Sequence, residues 1–372
     1  MRAILVGVHK KGETKSEALA SINELAGLVE AVDGKVLGKL IQKRDVPDPS
    51  TYIGKGKVQD LNLLVQGTKA DTVVFDDPLT PSQVKELEKR LNARVMDRTD
   101  LVLEIFTRRA KTREAKLQVE LARLQHELPR LYGRGKALSR QAGGIGGRGP
   151  GEQEAEIRRR ILKKRIHKIK EELEEIKKRR REQRKRRIKE VSKEGNFVRV
   201  AIVGYTNVGK STLMKALTGR DVFKKDMLFA TLDTTTSSRF VYPDLKILFT
   251  DTVGFINKLP TELIEAFKAT LEEVQEADLI LHVVDASDPK WLEKIETVNG
   301  ILKKLDLEGV RQILVFNKVD RLVSSPEEAE HLEHPMMVGK VPNLFVSAER
   351  KWNLDRLLEM IRDLHLSEKE KG

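Results

Sequence analysis

A chain of 372 residues is long enough for two or three domains, each with its own core. It holds no cysteine, which excludes disulfides, thiol chemistry and cysteine-ligated zinc, and suits a reducing compartment. The net charge of +13 is uneven: residues 107–194 hold 30 Lys and Arg against 13 Asp and Glu, a local +17, so the remainder sums to −4. Basicity gathered in one segment points to a polyanionic partner, of which nucleic acid is the commonest.

Residues 1 to 105 alternate strand and helix signals. Met1–Val8 is too short an apolar run for a signal peptide and reads as a first strand. Ser16–Val32 carries Ala18, Ile22, Leu25, Leu28 and Val29 at helical spacing. Lys35–Gln42 is a strand candidate, Lys57–Gln66 a short helix, Asp71–Phe75 a strand, Pro81–Leu91 a helix and Arg94–Met96 a last strand. This order argues a small parallel α/β domain. Gly54-Lys55-Gly56-Lys57 at a helix start suits either a phosphate or a plain helix-start turn.

From Asp100 the texture becomes helix without strand. Leu117, Leu121, Leu124 and Leu128 form one apolar seam, and Leu162, Ile166, Ile169, Leu173 and Ile176 form another on a helix expected over Gln153–Lys193. Between them, after Pro129, come Tyr132-Gly133-Arg134-Gly135-Lys136 and then Gly143–Gly151, with six glycines in nine residues. Glycine costs about 1 kcal/mol relative to alanine in a helix, so the second run is expected to be a mobile loop and neither helix nor sheet. The pattern predicts an antiparallel coiled-coil hairpin over residues 106–194. Of the eleven residues Lys177–Arg187, only Glu182 and Gln183 are not basic. That exceeds what a solvated helix face needs, so Arg179, Arg180 and Arg181 on the arm, with Arg134, Lys136, Arg140 and Arg148 near the tip, are candidate RNA contacts. A solvated face and a bare connector are the bland readings.

From Asn196 the chain is α/β again. Phe197–Val203 is a short apolar strand, and it leads into Gly204-Tyr205-Thr206-Asn207-Val208-Gly209-Lys210-Ser211-Thr212, a G-x-x-x-x-G-K-[ST] phosphate loop that opens a helix. Glycines let backbone N–H groups surround an anion, Lys210 would reach the β- and γ-phosphates, and Ser211 would ligate Mg²⁺. Lys246–Thr250 is a strand ending in Asp251-Thr252-Val253-Gly254, a D-x-x-G. Its acid can hold Mg²⁺ through water, and its glycine N–H can meet the γ-phosphate. Ile313–Phe316 leads into Asn317-Lys318-Val319-Asp320, an N-K-x-D. A carboxylate there accepts from the guanine N1–H and 2-amino group, a pair that adenine lacks. Asn343–Val346 ends in Ser347-Ala348-Glu349, where backbone N–H can meet the guanine carbonyl. In Phe229-Ala230-Thr231-Leu232-Asp233-Thr234-Thr235-Thr236 a threonine would join Mg²⁺ when the γ-phosphate is present; spacing alone does not choose among four. A last helix is expected over Asn353–Leu364. No run approaches the roughly 18 apolar residues of a membrane span, so a cytoplasmic protein is expected.

With these residues in view the chain resembles the HflX GTPases, translation-factor-related P-loop proteins. The resemblance runs through Thr51–Lys57, Gly143–Glu152, Phe229–Asp233, Asp251–Phe255 and Lys258–Pro260. It implies an α/β protein: an N-terminal parallel α/β domain (1–105), an antiparallel coiled-coil hairpin with a Gly-rich tip (106–194) and a Ras-like GTPase domain (195–372). It further implies a ribosome-associated GTPase that binds the large subunit and its rRNA, with the hairpin reaching the peptidyl-transferase region, and that splits stalled or idle ribosomes. It favours Thr231 as the switch threonine, Gly54–Lys57 as the locus for the ATP that some members bind, and the absence here of the C-terminal extension of longer members. A monomer with no DNA partner is expected.

Where a water-orienting glutamine would follow D-x-x-G, this chain has Phe255, so intrinsic hydrolysis is expected to be slow. Asn207 resembles the asparagine of potassium-dependent relatives, which makes K⁺ a candidate arginine-finger substitute; a loop-stabilising amide is the other reading. Two further functions compete with ribosome splitting. One is an RNA-binding or assembly scaffold whose nucleotide is structural, and the other an ATP-dependent RNA remodeller working through the N-terminal domain.

Overall fold

The structure, a computed structural model, describes residues 1–139, 150–193, 196–219, 229, 235–242, 245–260, 263, 274–307, 309–332 and 341–369. They fall into two compact units, Met1–Glu175 with Pro260–Ala266, and Ile176–Leu259 with Phe267–Gly372.

In the first unit β1 (Arg2–His9), β2 (Lys35–Lys43), β3 (Thr72–Phe75) and β4 (Arg94–Asp97) form a parallel sheet in the order β2-β1-β3-β4. Crossovers are made by α1 (Lys15–Glu30), α2 (Lys55–Thr68) and α3 (Pro81–Leu91), and α4 (Arg98–Arg109) follows β4. Ala3 to Val8 of β1 is buried without alternation, as a strand covered on both faces must be. Gly7 permits close packing, since a Cβ there would lie 2.7 Å from Ile22 Cδ1 on α1. Side-chain caps set the helix starts: Thr14 with Glu17, Thr80 with Gln83, and Asp97 with Asp100 form reciprocal capping boxes.

Two long helices follow, α5 (Arg113–Ser139) and α6 (Pro150–Lys193). Their ends depart from the sequence expectation. Pro129 lies inside α5, and Tyr132–Lys136 continue the helix to Ser139. Pro129 is exposed while Leu131 is 3% exposed, so burial beside the proline helps keep the helix seated. At the other end Pro150 and Gly151 belong to α6, not to a loop. A proline at the first helical position has its φ preset and lacks only an N–H that would have no helical partner. Residues 143–149 of the glycine run lie outside the described residues. Ion pairs join the arms: Arg113–Glu172 at 3.0 Å, Glu120–Arg165 at 2.7 Å and Glu127–Arg158 at 3.1 Å. Successive pairs step forward seven residues on α5 and back seven on α6, which is antiparallel heptad pairing.

The second unit holds β5 (Asn196–Gly204), α7 (Lys210–Thr218), β6 (Thr235–Tyr242), β7 (Leu245–Asp251), β8 (Leu279–Asp285), α8 (Trp291–Lys304), β9 (Gln312–Asn317), α9 (Pro326–Glu330), β10 (Asn343–Phe345) and α10 (Leu354–Lys369). The sheet order is β10-β9-β8-β5-β7-β6, parallel except for the β6–β7 pair. β5 lies between β7 and β8, so chain connections leave it in both directions. A crevice at the carboxyl ends of such strands is where α/β sheets bind ligands. Among the described residues no helix is long and apolar enough to cross a membrane.

Candidate functional site

The sheet delivers four motifs of the second unit to the carboxyl ends of its strands. The phosphate loop follows β5, the D-x-x-G ends β7, the N-K-x-D follows β9, and Ser347 follows β10. The loop's shape rests on backbone that few side chains tolerate. Gly209 has φ +92°, and a Cβ there would lie 2.3 Å from Asn317 Nδ2. Asn207 is left-handed too, at φ +61°. Lys210 opens α7, is 7% exposed, and donates from Nζ to the carbonyls of Gly204 (3.1 Å) and Tyr205 (2.8 Å). An ammonium has three donors, so one remains for an anion. Burial pushes Lys210 down to about 8 against the pull of Asp251.

The Ser211 hydroxyl donates to Asp251 Oδ2 at 2.7 Å, and Asp251 is fully buried. Two hard oxygen donors beside the phosphate lysine are the chemistry that Mg²⁺ takes. After Asp251 the chain keeps to the loop: Thr206 N–H donates to the Phe255 carbonyl at 2.8 Å, and Phe255 N–H to the Gly204 carbonyl at 3.1 Å. Gly254 consequently stands against the lysine, since a Cβ on it would lie 2.9 Å from Lys210 Nζ. The two residues between Asp251 and Gly254 are buried. Thr252 donates its hydroxyl to the Ile202 carbonyl inside the core, and Val253 is 8% exposed.

Asn317 joins three loops: its Nδ2 donates to the Val208 carbonyl and its Oδ1 accepts from the Ala348 N–H, each at 2.9 Å. Lys318 Nζ donates to the Asn207 carbonyl at 2.6 Å and to Asp285 at 2.7 Å. Burial would raise Asp285, but bonds from Lys318 and Ser287 hold it below the usual carboxylate range. Sequence reasoning missed Asp285; its signal was an acid at the carboxyl end of a central strand. Asp320 accepts from the Ser347 hydroxyl, which itself accepts from the Arg350 N–H. Val319 is buried and Glu349 exposed. Phe229 is 2% exposed with φ +56°, while Ala230, Thr231, Leu232 and Asp233 lie outside the described residues. Thr235 and Thr236, competitors of Thr231, belong to β6.

Elsewhere the candidates are less gathered. Gly54 caps α2, but its N–H donates to Gln42 Oε1 at 2.9 Å. Asp97, Asp100 and His126 are close enough to share a metal, yet Arg130 already occupies them, at 2.7 Å from Asp97 and 2.9 Å from Asp100. Arg179 and Arg181 are exposed and Arg180 half-buried on α6. Arg140, Arg148 and the side chains of Arg134 and Lys136 lie outside the described residues.

Family models match this chain in three consecutive stretches: "GTP-binding GTPase N-terminal" over residues 19–107, "GTP-binding GTPase Middle Region" over 109–187 and "50S ribosome-binding GTPase" over 199–318. The GTPase HflX of Caldanaerobacter subterraneus subsp. tengcongensis is 45% identical over 97% of this chain and 79% of its own length. That of Flavobacterium psychrophilum is 42% identical over 98% and 92%, and that of Escherichia coli 42% over 86% and 74%. Among solved structures, the crystal structure of the SsGBP and GDP complex aligns over 98% of both chains, at 26% identity and a TM-score of 0.50. With a phosphate loop and guanine motifs on one sheet edge, the chain is a GTP-binding, GTP-hydrolysing protein and belongs to the HflX GTPase family.

Proposed function

We propose that this protein is a cytoplasmic, monomeric GTPase that docks on the large ribosomal subunit and separates stalled or idle ribosomes. The observation that carries this reading is the match of residues 199–318 to a 50S ribosome-binding GTPase model. The charge of +17 on residues 107–194 supports it. Three parts divide the work: residues 1–105, a hairpin over 106–194 that grips rRNA, and a GTPase domain from 195. In that domain the loop Gly204–Thr212 wraps the phosphates, with Lys210 on the β- and γ-oxygens. Asp320 accepts from the guanine edge, and the Ser347–Glu349 loop meets its carbonyl. Ser211 and Thr231 would hold Mg²⁺, with Asp251 acting through water, and the ion would offset charge on the phosphate oxygens. Thr231 and the segment Asp251–Phe255 form the switch. Docking on the subunit sets their geometry against the γ-phosphate, which supplies the water positioning that Phe255 lacks. K⁺ at Asn207 would add a second cation.

GTP turnover, alone and with large subunits, together with sedimentation of intact ribosomes tests this. Stimulation with separation of subunits is expected; binding without either overturns the splitting reading. Reversing charge at Arg179, Arg180 and Arg181 is expected to weaken ribosome binding and flatten its salt dependence while sparing GTP. A KCl–NaCl comparison tests Asn207. Phe255 favours a second reading, an RNA-binding scaffold with slow, structural nucleotide turnover.

A further inference from the structure

Beside the phosphate lysine, at a variable position of the phosphate loop, sits a side-chain hydroxyl to which the motif gives no role. Thr206 is 5% exposed, and its Oγ1 is buried with no hydrogen-bond partner among the described residues. An unmet buried hydroxyl destabilises a fold, and one that persists calls for a function. Its surroundings indicate which. The Thr206 N–H is fixed on the Phe255 carbonyl at 2.8 Å, one residue past Tyr205, which pairs with Phe255 across the bridge. Phe255 itself is 2% exposed, and its N–H and carbonyl are both engaged with the phosphate loop. A single point, the place of a Cβ on Gly254, lies 2.8 Å from Thr206 Cγ2 and 2.9 Å from Lys210 Nζ. The Thr206 methyl and the ammonium that would hold the terminal phosphate therefore both lie within 3 Å of one point on Gly254, and the unmet hydroxyl is on the same Cβ as that methyl.

We propose that the Thr206 hydroxyl donates a hydrogen bond to the γ-phosphate of GTP and is a catalytic residue of the hydrolysis. This rests on the reading of Gly204–Thr212 as the phosphate site. In the reaction, water oxygen bonds to the γ-phosphorus while the bond to the β–γ bridging oxygen breaks, giving GDP and inorganic phosphate. Thr206 keeps its proton throughout and acts by stabilising charge on a non-bridging γ-oxygen. GDP has no oxygen at that place, so the contact distinguishes substrate from product.

The test compares full-length Thr206→Val, Thr206→Ser and Lys210→Ala with the parent. Three quantities are measured: single-turnover GTP hydrolysis, affinity for GDP and for a β–γ imido GTP analogue, and the melting temperature without nucleotide. Valine keeps the shape and removes the hydroxyl. It is expected to slow hydrolysis about tenfold or more and to lower the analogue-to-GDP affinity ratio, with melting unchanged or raised. Serine is expected to restore the rate. Parent-like hydrolysis in Thr206→Val overturns the proposal. So does an equal loss of both nucleotides with a lower melting temperature, which marks a purely structural residue. Lys210→Ala tests the underlying site: retained binding of both nucleotides would sink the phosphate-loop reading itself, whereas lost binding beside a parent-like Thr206→Val sinks only the role of the hydroxyl.

Discussion

The Tyr205 hydroxyl accepts a hydrogen bond from the backbone N–H of Asn257 at 2.6 Å. A phosphate-loop side chain thus holds the chain three residues beyond Gly254, where the bridge between Gly204, Thr206 and Phe255 ends. Lys294 lies over the Tyr205 ring at 4.8 Å, and Thr297 on the same helix donates to Asn257 Oδ1 at 3.2 Å. Tyr205→Phe keeps the ring and its cation but removes the acceptor. The expected outcome is a loss of about 1 kcal/mol of local stability, read as faster amide exchange at Asn257. Unchanged protection would show that the backbone bridge suffices.

In the proposed site base choice falls to Asp320, which accepts from the Ser347 hydroxyl. Asp320→Asn replaces one acceptor oxygen with an NH₂ donor. GTP affinity is expected to fall by about a hundredfold, while xanthosine triphosphate, with a carbonyl in place of the 2-amino group, gains. Competition binding with the two triphosphates decides, and equal losses for both would place Asp320 outside base recognition.

His282 sits in the middle of β8, 1% exposed, and burial pushes it down to about 4. The folded protein keeps it neutral while the unfolded chain takes up a proton below about 6.5. Its contribution to stability is therefore complete above pH 6.5 and is lost as pH falls from 6.5 towards 4, by an amount of order 3 kcal/mol. Melting temperature between pH 4 and 7 measures the slope. His282→Leu is expected to flatten it.

Arg98 is 2% exposed and donates to Asp76 (2.6 and 3.0 Å), Glu24 (3.1 Å) and the Ser21 carbonyl (2.9 Å). Arg98→Met would leave the Asp76 carboxylate buried without its cation, at about 3–5 kcal/mol. Denaturant unfolding should show that loss, and Arg98→Met with Asp76→Asn should recover part of it.

Glu120 and Arg165 pair bidentately at 2.7 and 2.8 Å, but their side chains are 39% and 40% exposed. Solvent screening should keep their coupling under about 1 kcal/mol. Glu120→Arg is expected to lower the melting temperature slightly at low salt, and adding Arg165→Glu to restore it. If the double variant is no better than the single one, the pairing adds nothing to stability.

What was readable in the sequence was local. The strand Phe197–Val203, the glycines of the phosphate loop and the N-K-x-D declare themselves within a few residues, because backbone geometry and side-chain chemistry act over that range. The coupling of Tyr205 to Asn257 and of Thr206 to Phe255 joins residues about fifty positions apart, through the parallel pairing of β5 with β7. Nothing local marks Arg98, which meets Asp76 because the sheet order sets β3 beside β4. Helix ends misled for another reason: Pro129 and Pro150 are locally disruptive residues, tolerated where Leu131 is buried and where a first turn needs no N–H.

The seven-residue step of the ion pairs between α5 and α6 makes the hairpin a ruler. Deleting one residue from a single arm would put every pair beyond it out of phase. Deleting a whole heptad from both arms would preserve all remaining pairings and shorten the reach by about 10 Å, at 1.5 Å per residue. The span of this arm is therefore adjustable only in steps of that size.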